Sequence, residues 1–534
     1  MKKQSLWALL MMGYSLSAIA QYPQAEKYAA QITVKQAQKH LNILASDKFE
    51  GRETGKRGAE MAATYLAKEF KKLKLKAPVN GSYFQEVPLT ETTFEVSSLT
   101  ANGNSLTIGK DFLFSGSGES KKISSNEIVF IGYGIGADQY DDLKNVSING
   151  KIVLLINKGE PMSNGISAIS KTSNASDWST SRFKRLQYVM SKGPALILAV
   201  NPDVEKALKS YSPASGRLSV KKDNQSISSA RAGTPALVNI TPQVADQFLK
   251  KSGKTYEALK SAIDNSGTPQ SQTLPADVSI SYGPIKKDVK SVNVLGYLEG
   301  SDLKDELIVI SAHYDHVGIT ENGGTDKINN GADDDGSGTT GVLTIAKAYV
   351  KAKKEGNGPR RSILFLLVTG EEKGLLGSEY YSLNPVFPLA NTVTNLNIDM
   401  IGRTGEEYKN SADSVNYCYL IGSDKLSTDL HKISENANAV YTKMKIDYKY
   451  NDPNDPERIY YRSDHYNFAK HNIPIVFYFN GVHEDYHKPS DEVSKINFEL
   501  LTKRAQLVYY TGWDLVNRDK RPVVDVKNDM PATR

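Results

Sequence analysis

"RSILFLLVTGEEKGLLGS", residues 361–378, joins an unbroken apolar run to two adjacent carboxylates and a short helix-like segment. A strand with one wet face alternates polar and apolar residues. The run Ile363 to Val368 does not alternate, which predicts a strand covered on both faces, the habit of parallel sheets flanked by helices. Glu371 and Glu372 then stand at the mouth of that strand, where each like charge makes the other harder to ionise. Their placement calls for a positive group between them and the rest of the rim.

The same texture extends outward from this stretch. Upstream lie "VNVLGYL" (292–298), "ELIVISAH" (306–313) and a predicted helix from about Ser337 to Lys353, with Val342, Ile345, Ala346 and Tyr349 on one face. Downstream come "TNLNIDM" (394–400), a helix near 424–437, "IPIVFYF" (473–479) and a long helix over about 497–517. Apolar strands alternating with amphipathic helices predict an α/β fold, a mixed and mostly parallel sheet between helical layers. In such sheets the chemistry belongs to the loops beyond the carboxyl ends of the strands.

Those ends carry "ISAHYDHVG" with His313 and Asp315, "NNGADDDGSG" with Asp333, Asp334 and Asp335, "VTGEEKG", "NIDM" with Asp399, and "EDYHKPSDE" with His487. Carboxylates and imidazoles gathered on one rim need cations to offset their repulsion and desolvation. Two divalent ions would do so. Imidazole nitrogen with carboxylate oxygen, and no thiolate, suits zinc better than magnesium or calcium. A two-metal site of this kind needs one glutamate on the metal and one free to take a proton from a shared water.

The rest of the chain divides by composition. Residues 1–20 read as a secretory signal peptide, with two lysines, an apolar stretch too short to cross a bilayer and an Ala-x-Ala-like end. Residues 21–95 are largely helical: "GAEMAATYLAKEFKKLKL" sets Ala62, Leu66, Phe70 and Leu73 on one face. Residues 96–275 change to short β-rich runs such as "KIVLLI" and "ALILAV" between Ser-, Gly- and Lys-rich stretches, a separate β-rich insert. Residues 276–519 form the catalytic part and 520–534 a polar tail. Cys418 is the single cysteine, so no intramolecular disulfide is available. The formal charge of +6 is scattered rather than gathered in a stripe, which argues against nucleic-acid binding. No run after residue 20 predicts a transmembrane helix.

At the strand-end motifs the sequence resembles the di-zinc aminopeptidase family, which includes secreted bacterial leucine aminopeptidases and vacuolar aminopeptidase Y, in the clan of glutamate carboxypeptidase. The likeness runs from "VNVLGYLEGSD" to "YHKPSDE" and reaches the stretch "LASDKFEGRETGKRGAEMAATYLAKEFKKLKL". Residues 126–160 resemble the protease-associated domain that many members insert. The resemblance implies two Zn2+ per chain. Asp334 would bridge them, His313 and Asp399 would complete one site, and Glu372 and His487 the other. It makes Glu371 the general base and Tyr486 an oxyanion donor, and it gives Asp315 the task of orienting the His313 imidazole. The peptide bond from Asp334 to Asp335 is expected to be cis.

The implied activity is an exported exopeptidase, periplasmic or extracellular, acting on peptide or protein amino termini through a zinc-bridging water. Alternatives are a dipeptidase or carboxypeptidase of the same clan, a glutaminyl cyclase with a single zinc, or a non-catalytic binding homologue. His316, His465, His471 and His483 are expected to be structural rather than ligands.

Overall fold

A computed structural model of the protein describes residues 24–116, 118–211, 216–221, 234–320 and 324–529. The segment expected to be a signal peptide lies outside the described residues. The described residues form two compact units, one within 24–89 and 289–529 and the other within 90–288.

The first unit is built on strands β1 (Gln272–Leu298, of which the last residues belong here), β2 (Leu303–His313), β3 (Arg361–Val368), β4 (Thr392–Ile398), β5 (Tyr417–Ile421), β6 (Lys445–Asp447) and β7 (Ile475–Phe479). Their order across the sheet is β6-β5-β7-β4-β2-β3-β1. The pairs β2–β3, β2–β4, β4–β7 and β5–β6 are parallel, while β1–β3 and β5–β7 are antiparallel. The mixed, mostly parallel α/β sheet expected from the apolar runs is present.

The absence of alternation in β2 and β3 has the predicted cause. Ile308, Ile310, Ala312, Ile363, Phe365 and Leu367 pack into one core layer; Leu307, Val309, Leu364, Leu366 and Val368 pack into the opposite one. Each such side chain stabilises the fold by about 1.5–3 kcal/mol relative to exposure. Helices cover the first layer: α1 (Val34–Leu44), α2 (Arg57–Lys72), α3 (Gly338–Lys354), α5 (Thr428–Ala437) and α7 (Phe498–Asn517). The other layer takes Tyr381 from α4 (Leu376–Leu383) and Phe468 from α6 (Tyr466–Ala469).

The second unit has strands of its own. Strands Lys121–Phe130, Ile152–Ile156, Leu196–Val200 and Ala236–Ile240 run parallel in that order, and Phe112–Ser115 pairs antiparallel at one edge. Helices Arg182–Ser191, Pro242–Leu249 and Tyr256–Ser266 accompany them. The strands have a buried apolar cluster on each face.

Candidate metal centre

The parallel run β7-β4-β2-β3 sets four carboxyl ends side by side, and the chain delivers one group from each. His313 ends β2, Glu371 and Glu372 follow β3, Asp399 follows β4, and His487 lies in the loop after β7. Asp334 enters from the turn Ala332–Ser337 that precedes α3.

These side chains meet in two groups. In the first, His313 Nε2 lies 3.3 Å from Asp334 Oδ1 and 3.5 Å from Asp399 Oδ1. In the second, His487 Nε2 lies 3.0 Å from Asp334 Oδ2 and 3.1 Å from Glu372 Oε2. The Asp334 carboxylate therefore gives one oxygen to each group. His313 Nε2 and Asp334 Oδ2 are buried without a hydrogen-bond partner. Buried polar atoms are normally satisfied. Atoms about 3.3 Å apart that do not bond one another have the spacing of ligands around a zinc ion with bonds near 2.0–2.1 Å. Both groups meet the geometric requirement for holding a metal, and their nitrogen and oxygen donors fit zinc.

The electrostatics follow from burial and mutual charge. Burial alone would raise the Asp334 carboxyl, but the imidazoles of His316, His313 and His487 outweigh it and hold this group well below the usual range. Burial would lower His487, yet Asp334 and Glu372 raise it to about 10. Burial raises Glu371 well above the carboxylate range; His313 opposes this, while Glu372 and Asp399 add to it. Glu372 is also buried beside Asp334, but its contacts with His316 and His487 bring it below the usual value. Two neighbours in sequence are thus driven in opposite directions, and a cation at the cluster would act on both.

Hydrogen bonds fix the acidic turn from all sides. Asp335 Oδ2 accepts from the His313 amide at 3.2 Å, and its Oδ1 accepts from the amides of Gly338 at 2.8 Å and Met400 at 3.0 Å. Asp333 Oδ1 accepts from the Gly402 amide, and Asp491 accepts from the amides of Asp333 and Asp334. The peptide bond from Asp334 to Asp335 is cis. Gly331 opens the turn at φ +55°, and a Cβ there would stand 2.3 Å from the Asp334 carbonyl oxygen. No other residue fits that position.

Several positioning groups were not legible in the sequence. Arg52 is 1% exposed. It donates to the carbonyls of Tyr314, Leu44, Asn330 and Gly331, tying the amino-terminal helices to the loops that carry His313 and Asp334. Ser463 donates to Asp399 Oδ2 at 2.6 Å and accepts from Asn397. Asp315 departs from its expected use: its carboxylate stands 3.9 Å from His313 Nδ1, too far to hydrogen-bond. The Asp315 main-chain oxygen meets Nδ1 at 3.1 Å instead. The carboxylate is occupied by Thr54 Oγ1 at 2.6 Å and the Glu371 amide at 3.2 Å.

Of the remaining histidines, His465 Nε2 meets the Tyr460 carbonyl, and His483 Nε2 lies 3.2 Å from Asp333 Oδ2. His471 joins neither group. His316 does join the second, with Nδ1 2.8 Å from Glu372 Oε1.

Residues 293–512 match the model of peptidase family M28. Over that stretch the chain is similar to this family. Aminopeptidase YwaD of Bacillus subtilis is 25% identical over 258 residues, covering 45% of this chain and 48% of the relative. Leucine aminopeptidase 2 of Trichophyton rubrum is 27% identical over 259 residues, covering 44% and 46%. The chain spans about half the length of these relatives. Among solved structures, the aminopeptidase from Aneurinibacillus sp. strain AM-1 superposes with a TM-score of 0.54 at 18% identity, covering 94% of this chain and 98% of its own. BSAP, a zinc aminopeptidase from Bacillus subtilis, gives 0.51 at 18% identity, covering 93% and 99%. At that identity the superpositions speak to fold alone. The fold they share with the M28 domain is the mixed sheet described above.

Proposed function

We propose that this chain is an exported di-zinc exopeptidase that hydrolyses the peptide bond next to a free amino terminus. The M28 match and the aminopeptidase names of the relatives support the class of reaction. The observation that carries the reading is the division of labour at Glu371 and Glu372. Glu372 Oε2 points at His487 and Asp334, as a ligand would. Glu371 belongs to neither ligand group, yet its Oε2 comes within 3.9 Å of His313 Nε2 at the edge of the cluster.

His313, Asp334 and Asp399 would hold one ion and Asp334, Glu372 and His487 the other. Bound zinc would supply Lewis acidity toward a scissile carbonyl and an attacking water. Glu371 would accept a proton from the attacking water and return it to the leaving amine, the task of a buried carboxylate with a raised proton affinity.

Tyr486 lines one cavity with Asp334, Glu371 and Asp399, and its ring stacks on His487 with centroids 3.8 Å apart. Arg462 Nη2 donates to the Tyr486 hydroxyl oxygen at 3.3 Å, which leaves the phenolic proton free to point elsewhere. Burial first, and then the charges of Asp334, Glu372 and Glu371, keep that phenol protonated. It is therefore able to donate to an oxyanion. Met400, Ile459, Phe477, Phe479 and Val482 give the cavity an apolar wall.

The signal-like residues 1–20 support export, and no helix among the described residues is long and apolar enough to cross a membrane. Residues 126–160 support reading the second unit as a protease-associated-type insert.

Chromogenic aminoacyl and dipeptidyl substrates, each with a free and a blocked amino terminus, test the reading. Cleavage is expected only with free termini, lost on chelation and restored by zinc, with two zinc ions per chain by elemental analysis. Equal cleavage of blocked substrates would sink the aminopeptidase assignment. A single ion per active chain would favour the cyclase type.

A further inference from the structure

His316 lies outside the ligand set proposed above, although its imidazole reaches the second group. The residue is fully buried, and its Nδ1 stands 2.8 Å from Glu372 Oε1 and 3.7 Å from Asp334 Oδ2. The two oxygens of Glu372 are thus used differently: Oε2 faces His487 at 3.1 Å, and Oε1 faces His316.

An ionised carboxylate is an acceptor only, so the short contact requires the proton to sit on Nδ1 of His316. A protonated Nδ1 has no lone pair for a metal. The 2.8 Å separation is also a hydrogen-bond distance and shorter than the spacing of about 3.3 Å between co-ligands of zinc. We propose that His316 is a positioning residue that holds Glu372 Oε1, so that Glu372 presents Oε2 alone and a coordination position of the second ion stays open. The proposal rests on reading the cluster as a two-zinc centre.

The ring is held for this purpose from several directions. The His316 amide donates to the Arg52 carbonyl at 3.1 Å. Gly331 packs so closely that a Cβ there would come within 2.5 Å of the His316 ring. The His487 ring meets it edge-on with centroids 5.6 Å apart. His316 Nε2 is buried without a partner. A carboxylate freed of this bond can turn both oxygens to the ion and fill the position that water or substrate needs.

The test is a titration of the metal-free full-length protein with Co2+, followed by visible absorption, and with Zn2+, followed by calorimetry. The wild type and the variants His316→Ala and His316→Asn are compared. The wild type serves as its own control: binding of fewer than two ions would remove the two-zinc reading and this inference with it, before any variant is compared. With two ions bound, His316→Ala is expected to weaken one of them about 10–100-fold while leaving the other unchanged. Its cobalt bands should lose intensity as the coordination number rises. His316→Asn offers an amide N–H near the position of Nδ1 and should restore most of both signals. Unchanged affinity and spectrum in His316→Ala would overturn the proposal. Complete loss of one ion in both variants would overturn it as well, because His316 would then be a ligand. If His316→Ala fails to fold, His316→Phe replaces it against the same expectations, since its ring fills the space without a donor.

Discussion

Two adjacent glutamates are driven to opposite proton affinities because their partners differ, not their chemistry. Glu372 is held by two imidazoles and drops below the usual carboxylate range, while Glu371 is raised by burial and by the charges of Glu372 and Asp399. Glu371→Gln keeps the shape and the amide contact to Asp315 but removes the proton acceptor. Turnover should fall by about 10²–10⁴ with two zinc ions still bound, read from steady-state rates and elemental analysis on the same sample. Unchanged turnover would take the base role away from Glu371. Ser463→Ala probes the support of Asp399: one ion should bind about 10–100-fold more weakly, and a calorimetric titration matching the wild type would show that Ser463 is idle. His313, Glu371, Glu372 and Asp399 were legible as candidates because each follows an apolar run that ends at the rim, whereas Asp334 and His487 lie in loops and came from motif and resemblance. Arg52, Ser463 and Asp491 were not legible, since they act through main-chain groups or carboxylates dozens to hundreds of positions away, and such pairings leave no local pattern. His316 did leave a trace in "HYDH", but spacing alone does not say which oxygen of a distant glutamate it meets.

Helices and strands were readable where their periodicity was long. α3, α7 and the core strands β2, β3, β4 and β7 lie where the apolar patterns put them. β5 and β6 were missed because five and three residues between polar loops carry too little pattern, although Tyr417–Ile421 is an unbroken apolar run fully buried in the sheet. The polar tail also proved ordered in part: Asp525 accepts from the amide and hydroxyl of Thr428 at the start of α5, and Arg521 donates to the Thr392 carbonyl. These bonds satisfy groups left over by other elements, which polarity alone does not reveal. The joint between α1 and α2 is pH-sensitive. His40 Nδ1 lies 2.7 Å from the Tyr65 hydroxyl, and burial lowers its pKa from 6.5 to about 4. The unfolded chain takes up this proton near pH 6.5 and the folded chain only near pH 4. The stability linked to His40 is therefore complete above pH 6.5 and is lost as pH falls through that window, by about 3 kcal/mol at most. Urea midpoints of the wild type and His40→Leu between pH 4 and 7 check this: the wild-type midpoint should fall relative to the variant's toward low pH. A constant gap would free His40 of the effect.

The whole chain divides unevenly, and the division has a thermodynamic consequence. The first unit is made of two separated segments, since residues 24–89 supply α1, α2 and Arg52 to the core that residues 289–529 complete. The second unit, residues 90–288, is one continuous stretch with apolar clusters on both faces of its strands. Composition placed the insert at 96–275 and fell short of both boundaries. The strands Phe84–Ala101 and Gln272–Leu298 run across them, so no linker marks the change. A contiguous unit with its own core is expected to fold alone. Both candidate metal groups belong to the first unit, so metal linkage should appear there and not in the excised second unit. A ligand that binds only the folded state adds about 2.7 kcal/mol when its free concentration is 100 times its dissociation constant. For a unit of this size that corresponds to a rise in melting temperature of about 4 °C. Calorimetry of the full chain should therefore show a transition that moves down by this amount on chelation and returns with zinc, while residues 90–288 melt cooperatively at one temperature in either condition. A chelator-sensitive excised unit would place a metal outside the described cluster. A full-length protein that loses its metal without any change in melting would mean that the cluster is already rigid without ions.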